Sequence, residues 1–571
     1  MTDFSHARSK LKSLVFHMKE IKKFEIPKPA ASRARALWVM RLGLALVLTA
    51  CAADQVQDPY GYDRARASRV FSDGYQDISE IYIEKLEIPD LAQAGMDGLA
   101  ELDSELSFRP DGDAIDLSYH RHLINRLPVP DREDAEAWGE LTADVVESSR
   151  NVSPIVAEID AERLYEAVFD GIVTRLDRFS RYAGRDVALE NRASRDGFGG
   201  IGVRIRVVDE GVKILSIMEN TPAEESGLMV EDVITDIDGI SAIGLSQREV
   251  VRRLRGPIRS KVKLLVLRAT EQEKLPISVT RALVVPQTVE FRAEDNIGYV
   301  RVSNFNQGTA RSLRNKLKLA RRELGEKLLG FVLDLRGNPG GLLDQGVEVA
   351  DLFVRDGLIL TTHGRHPDSH QVFDAASDDV AEGLPVVVLL DGSSASAAEI
   401  VAAALQDAER AVLVGSNTFG KGTVQTVLRL PNEGELTLTW ANFHAPSGYG
   451  LNALGVMPNL CTSGDVADAN DVLLRLQSGE FPLRHYGADI IAGHNDPAQM
   501  AVLREKCPRR DGEPEIDLEV ARALLQNAGL YARALDTSLD SVAVRQEAQS
   551  QDGKAACPTE PSDHLMQPGF C

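Results

Sequence analysis

Ser396 and Lys421 are the two residues of this chain best placed to do chemistry together. Ser396 lies in Gly392-Ser-Ser-Ala-Ser-Ala-Ala-Glu399, ahead of a strong helix former, Ile400-Val-Ala-Ala-Ala-Leu405. Lys421 follows 25 residues later in Phe419-Gly-Lys-Gly-Thr-Val-Gln425. A serine hydroxyl attacks a carbonyl only when a neighbour takes its proton, and a lysine does this once burial has brought its pKa towards neutrality. No histidine is required. A helix start leaves amides unpaired and presents the positive end of the dipole, so the Ala397 amide is a candidate donor to a developing oxyanion. The turn Pro339-Gly340-Gly341 offers a second donor from Gly340 or Gly341, and each such donor is worth roughly 3 kcal/mol in the transition state. Singly, these residues have plainer readings: a serine at a helix start is usually an N-cap, and a lysine between glycines a solvated loop residue. Their order and spacing are what raise the chemical reading above the plain one.

Such residues need rigid elements to hold them. Leu329-Gly-Phe-Val-Leu-Asp-Leu335 and Leu384-Pro-Val-Val-Val-Leu-Leu390 predict buried strands, Ile297–Phe305 and Ala411–Gly415 predict two more, and Thr309–Leu324 a basic amphipathic helix. Strands alternating with helices imply an α/β core over 275–458. Upstream, Gly197-Phe-Gly-Gly-Ile-Gly202 opens a run of strand signals that includes Asp232-Val-Ile-Thr-Asp-Ile-Asp-Gly239 and closes on a helix near Gln247–Leu254 and a strand at Lys261–Arg268. This module, 197–272, resembles a PDZ domain. The resemblance implies that the amides of Gly199, Gly200, Ile201 and Gly202 hold a C-terminal carboxylate while the peptide adds as a strand beside the domain edge. Residues 52–190 read as a polar tether and a helical domain with few strand signals, its part 70–190 packing on the core as a cap or dimerisation element. The segment 459–571 reads as a cysteine-bearing extension, helical near Leu518–Ala528, without a recognisable site.

At 571 residues the chain is too long for one core, and its 43% apolar content is that of a globular protein. With 86 acidic against 64 basic residues the formal charge is -22, which argues against a nucleic-acid partner. The apolar run Ala36–Ala50 is interrupted by Arg41, is too short to span a bilayer comfortably, and follows Arg33 and Arg35; it suits a signal peptide. Leu48-Thr-Ala-Cys51 resembles a bacterial lipoprotein signal, so residues 1–51 are expected to be removed up to a lipidated Cys51. Because about 35 residues precede the run, Met18 and Met40 are alternative starts. Cys461, Cys507, Cys557 and Cys571 remain as an even set; an oxidising compartment permits one or two disulfides among them, in any of three pairings, and their spacing does not suit zinc.

Five motifs together resemble the C-terminal processing (tail-specific) serine peptidases: Phe198-Gly-Gly-Ile-Gly202, Ile297-Gly-Tyr-Val-Arg-Val-Ser-Asn-Phe305, Leu333-Asp-Leu-Arg-Gly-Asn-Pro-Gly-Gly341, Ser394-Ala-Ser-Ala-Ala-Glu-Ile400 and Thr418-Phe-Gly-Lys-Gly-Thr-Val-Gln425. The resemblance covers about residues 70–460. It implies a multidomain α/β protein with a helical N-terminal domain, a PDZ domain, a crotonase-like α/β serine peptidase core and a cysteine-bearing C-terminal extension. It also implies Ser396 as nucleophile, Lys421 as general base and Gln425 as the residue that orients the lysine ammonium, with Asp407 structural. Ala398, where many relatives carry serine, and His444, in place of a tyrosine-rich strand, depart from the pattern without displacing the pair. The expected activity is a serine endopeptidase that binds C-terminal peptides of unfolded or exported proteins, lipid-anchored on the periplasmic face of a bacterial membrane, with Ala52 favouring the outer one. No metal or organic cofactor is implied, and a homo-oligomer or adaptor is left open. The alternative is a non-catalytic or gated PDZ peptide-binding scaffold on the same fold; acyl-CoA chemistry ranks third.

Overall fold

The computed structural model describes residues 61–536 apart from 272, 377, 453 and 480–495. Cys51, Cys557, Cys571 and the run Ala36–Ala50 lie outside the described residues. The apolar runs that predict buried strands become the middle of a six-stranded sheet ordered Val289–Glu294, Ile297–Val302, Gly330–Asp334, Val386–Leu390, Val412–Gly415, Leu460–Cys461. The first pair is antiparallel and the others parallel. Side chains alternate along a strand, so a strand buried on both faces must be apolar throughout. Phe331, Leu333, Val386, Val388, Leu390 and Leu413 join one core with the helices Thr309–Leu324, Leu343–Asp351 and Ala397–Asp407. Val332, Val387, Leu389, Val412 and Val414 join another with the helices Ala469–Ser478, Glu515–Gln526 and Ala528–Leu535.

That second core changes the reading of the extension. Its first residues complete the sheet, its helices cover one face, and Cys461 is disulfide-bonded to Cys507. Arg336, at the end of the strand Gly330–Asp334, pairs with Asp334 (2.6 Å) and Asp517 (3.3 Å), and Asp517 also takes Arg510 (2.7 Å). Both aspartates are fully buried, so removing either guanidinium would leave an uncompensated charge in the interior.

A second, antiparallel sheet is ordered Gln371–Asp374, Leu358–His363, Glu435–His444, Thr423–Arg429, and Arg181–Ala183 adds to Glu435–His444. The N-terminal region is not wholly helical. Helices Arg64–Ile81, Ala135–Val152 and Ala161–Val173, capped by Asp63, Asp134 and Asp160, pack with Ile88–Ala100. A three-stranded antiparallel sheet, Leu106–Asp111, Ala114–Tyr119 and His122–Pro128, lies between them in sequence. Only one face of it is buried and its last strand is largely exposed, which left little apolar periodicity to read.

The PDZ module is a five-strand path, Leu275–Thr280, Lys261–Leu267, Val233–Ile237, Gly211–Ile217, Val203–Val208, with Ile240–Ser241 paired to the third. Leu275–Thr280 was expected in the α/β core; its ladder to Lys261–Leu267 places it in this sheet instead. The helix Gln247–Leu254 starts on a reciprocal Ser246/Glu249 capping box. Among the described residues no helix is long and apolar enough to cross a membrane.

Candidate active site

Ser396 sits between the buried strand Val386–Leu390 and the helix Ala397–Asp407, at φ 55° and ψ -116°. A non-glycine residue held at positive φ costs about 1–3 kcal/mol and needs its surroundings to fix it. Two buried carboxylates do so. Asp391 Oδ1 accepts from the amides of Ser393 (3.1 Å) and Ser394 (2.9 Å), shaping the turn before the serine, and from the Gly337 amide (2.9 Å). Glu399, fully buried on the first turn of the helix, accepts from the Ser396 amide at 2.7 Å.

The same Glu399 oxygen accepts from the Lys421 amide at 3.0 Å, and its other oxygen accepts from the Gly420 amide at 2.7 Å and the Thr418 hydroxyl. One carboxylate thus binds the loop of the serine to the loop of the lysine. Burial pushes this carboxyl above its ordinary range, while the four donors around it pull the other way. In the sequence Glu399 stands inside the motif Ser394–Ile400, and its Ser-x-x-Glu spacing from Ser396 is the capping-box signal that identifies it.

Lys421 Nζ lies 5.1 Å from the centre of the Phe179 ring. Its pKa is lowered, first by burial and then by the nearby Arg181 guanidinium, against the opposing pull of Glu399 and Asp177. Ser396, Lys421, Arg181, Gly340, Gly341 and Gln425 line one cavity of about 350 Å³, and no histidine lines it among the described residues. His444 stands instead at the end of the strand Glu435–His444, its ring 5.3 Å from that of His363.

Gln425 reaches the cavity by a bulge between Val424 and Gln425 in the strand Thr423–Arg429. Its side-chain nitrogen donates to Thr423 Oγ1 (2.9 Å) and Thr439 Oγ1 (3.1 Å), and Thr439 donates on to Asp177 (2.8 Å). Among the described residues it makes these hydrogen bonds rather than one to Lys421. Asp407 is buried and accepts from the Ser447 amide (2.8 Å) and hydroxyl (2.7 Å), bracing a turn away from the cavity. Ala398 is fully buried on the helix Ala397–Asp407.

The glycine turn packs directly on the serine. A Cβ on Gly340, at φ 100°, would stand 2.7 Å from Ser396 Cβ and 3.1 Å from the Ala397 nitrogen. The Gly340 amide is already given to Asn338 Oδ1 (2.9 Å), and its carbonyl accepts from the Phe305 amide (3.0 Å). The Ala397 and Gly341 amides donate to no protein acceptor among the described residues, so of the two glycines Gly341 has the free N–H. Asn338, fully buried, also donates to Val302 O (2.7 Å) and accepts from the Ala395 amide (2.9 Å), which fixes the turn against the serine loop.

In the PDZ module Phe198–Gly200 pairs with Ala282–Val284, and Gly199 O accepts from the Gly256 amide (2.9 Å). Gly199 and Gly200 therefore build the loop, while the amides of Ile201 and Gly202 donate to no protein acceptor among the described residues. The strand Val203–Val208 is the edge of its sheet, with Val203, Ile205 and Val207 half-buried beside the core that contains Val250 and Leu254 of the helix Gln247–Leu254. An open strand edge that starts at unpaired amides is a peptide-accepting geometry.

Comparison with known proteins agrees with this architecture. Residues 296–461 match the model of peptidase family S41, and residues 199–279 match a PDZ domain. The carboxy-terminal-processing protease of Bartonella bacilliformis is 38% identical over 65% of this chain and 85% of its own length. The carboxyl-terminal-processing protease of Synechocystis is 32% identical over 57% of this chain and 78% of its own. The photosystem II D1 C-terminal processing protease aligns with 70% of this chain and 92% of its own at 23% identity and a TM-score of 0.35. With both modules matched and a relative this similar over most of its length, the chain belongs to peptidase family S41, as a PDZ-bearing serine-type peptidase of the carboxy-terminal-processing group.

Proposed function

We propose that the protein cleaves polypeptides presented by their C-termini, with Ser396 as nucleophile and Lys421 as general base. The observation that carries this reading is the shared Glu399 carboxylate, which holds the backbone of both residues at the rim of one cavity that no histidine lines among the described residues. Neutral Lys421 takes the Ser396 proton as Oγ attacks the scissile carbonyl. The oxyanion is received by the amides of Ala397 and Gly341. The ammonium then protonates the leaving amine, and water, deprotonated by Lys421, releases the acyl group. Burial of the lysine supports this role, since it disfavours the ammonium. Gln425 shapes this wall through Thr439 and Asp177 and orients the lysine once a substrate occupies the cavity.

The substrate is an apolar C-terminal tail, its carboxylate on the amides of Ile201 and Gly202 and its backbone added to Val203–Val208. A lipid anchor at Cys51 would hold the enzyme at the periplasmic face of a membrane, where exported proteins present such tails. The test uses purified protein and a peptide with an apolar C-terminus. Ser396→Ala and Lys421→Ala should each lower turnover about 10⁴-fold or more, while His444→Ala leaves it unchanged. Retained cleavage by Ser396→Ala, or loss only in His444→Ala, would sink the assignment. Labelling of Cys51 by a palmitate analogue in cells, lost in Cys51→Ser, tests the anchor.

A further inference from the structure

Cys507 closes the helix Pro497–Lys506, is fully buried and is disulfide-bonded to Cys461 at the end of the central sheet. The chain that follows runs across the loops of both reactive residues. Arg510 O accepts from the Gly392 amide (2.8 Å) and the Ser416 hydroxyl (3.0 Å), and Arg509 donates to Gly392 O. Asp511 accepts from the Ser393 hydroxyl (3.0 Å), and the Gly512 amide donates to Asp391 Oδ2 (3.1 Å). Asp391 is the residue whose other oxygen shapes the turn before Ser396 and takes the Gly337 amide ahead of the glycine turn. On the lysine side, Arg504 donates to Phe419 O (3.3 Å) and the Arg509 guanidinium lies 4.8 Å from the Phe419 ring centre, two residues before Lys421.

We propose that the segment Arg509–Gly512 is a positioning strap for the active site, fastened by the Cys461–Cys507 disulfide, so that turnover depends on the redox state of that bond. The proposal rests on the reading of Ser396 and Lys421 given above. A dithiol reductant would open it: a thiolate attacks the half-buried Cys461 sulfur, the second thiol resolves the mixed disulfide, and two protons and two electrons pass to Cys461 and Cys507 as the dithiol closes its own ring. Freed of the bond, the strap lets the loops of Ser396 and Lys421 shift, and misplacement of about 1 Å between reacting groups costs roughly 100-fold in rate.

The experiment compares the full chain oxidised, reduced with dithiothreitol, and as Cys461→Ser/Cys507→Ser, which isolates this bond from the remaining cysteines. The expected result is a fall in kcat of about tenfold or more, with KM within about twofold, an unchanged circular dichroism spectrum, and recovery of the reduced enzyme on reoxidation. Arg509→Ala, with the disulfide intact, should lower kcat in the same way, and Arg509→Lys should partly restore it. Unchanged kcat in the double serine variant overturns the proposal, as does unchanged kcat in Arg509→Ala. Loss of kcat together with loss of ellipticity overturns it in favour of a purely structural bond. Ser396→Ala, inactive in both redox states, is the control: activity there removes the active-site reading itself, and with it the strap.

Discussion

At the scale of single residues, the roles proposed for Ser396 and Lys421 rest on what surrounds the pair. The helix start supplies the Ala397 amide for charge that would develop on the substrate carbonyl oxygen, and burial supplies a reason for the lysine to lose its proton. The pH dependence follows with a definite sign. Because the base must be neutral, kcat/KM should rise as pH climbs through the lowered pKa of Lys421 and then level off. Arg181 also lowers that pKa, so Arg181→Ala should move the rising limb to higher pH and leave the alkaline plateau in place. A modest move is expected, since Arg181 is exposed and water and salt screen it, and it should shrink at high ionic strength. A pH–rate profile of both proteins checks this; a limb that moves to lower pH in the variant rules out the electrostatic account. Ser396 and Lys421 were legible in the sequence because a helix start and a glycine-flanked lysine are local patterns. Arg181 and Phe179 were not, since they lie more than 200 residues upstream; Arg181 comes to the cavity on a strand added to the second sheet, and Phe179 stands just before that strand.

At the scale of elements, the site is a meeting of three turns. The turn after Gly330–Asp334, the turn after Val386–Leu390 and the loop before Thr423–Arg429 are drawn together by Asn338, Asp391 and Glu399, all buried. The glycine turn is the least forgiving of these. Gly340→Ala would place a Cβ 2.7 Å from that of Ser396 at a φ that side chains disfavour. Loss of one well-placed oxyanion donor costs about 10²–10³ in kcat, and a displaced turn should cost about as much. Steady-state kinetics and thermal unfolding of Gly340→Ala check this: kcat should fall about 100-fold while a cooperative transition remains. The alternation behind the central sheet was visible as apolar runs, and the helix after Ser396 as an alanine-rich run. The small sheet Leu106–Pro128 was not visible, because a strand with one wetted face and another nearly bare carries too few apolar residues to set a period.

At the scale of the whole molecule, a peptide-accepting edge and a cutting site lie in one chain, and binding energy gained at the first can be used at the second. Amidating the C-terminus of a peptide substrate removes the carboxylate that the amides of Ile201 and Gly202 would hold. KM should rise about tenfold or more with kcat at saturation unchanged, by steady-state kinetics on the paired peptides. Equal KM values for acid and amide would show that the tail is not read at this loop. The extension beyond Leu460, which showed no site in its sequence, becomes part of the site's support: it ends the central sheet, buries Asp517 against Arg336 and Arg510, and crosses the loops before Ser396 and Lys421. That Cys461 bonds to Cys507 emerged only from the approach of the strand Leu460–Cys461 to the end of the helix Pro497–Lys506. The candidate pair, the glycine turns, the PDZ module and the buried strands could be read from the sequence, because each is a local pattern of side-chain size, polarity and period. Only the folded chain showed that Glu399 joins the loops of Ser396 and Lys421, that Gly341 rather than Gly340 has an amide with no protein acceptor among the described residues, and that the extension contacts both loops. Those facts depend on contacts between segments far apart in the chain, and no local period encodes which distant donor a buried carboxylate or carbonyl will meet.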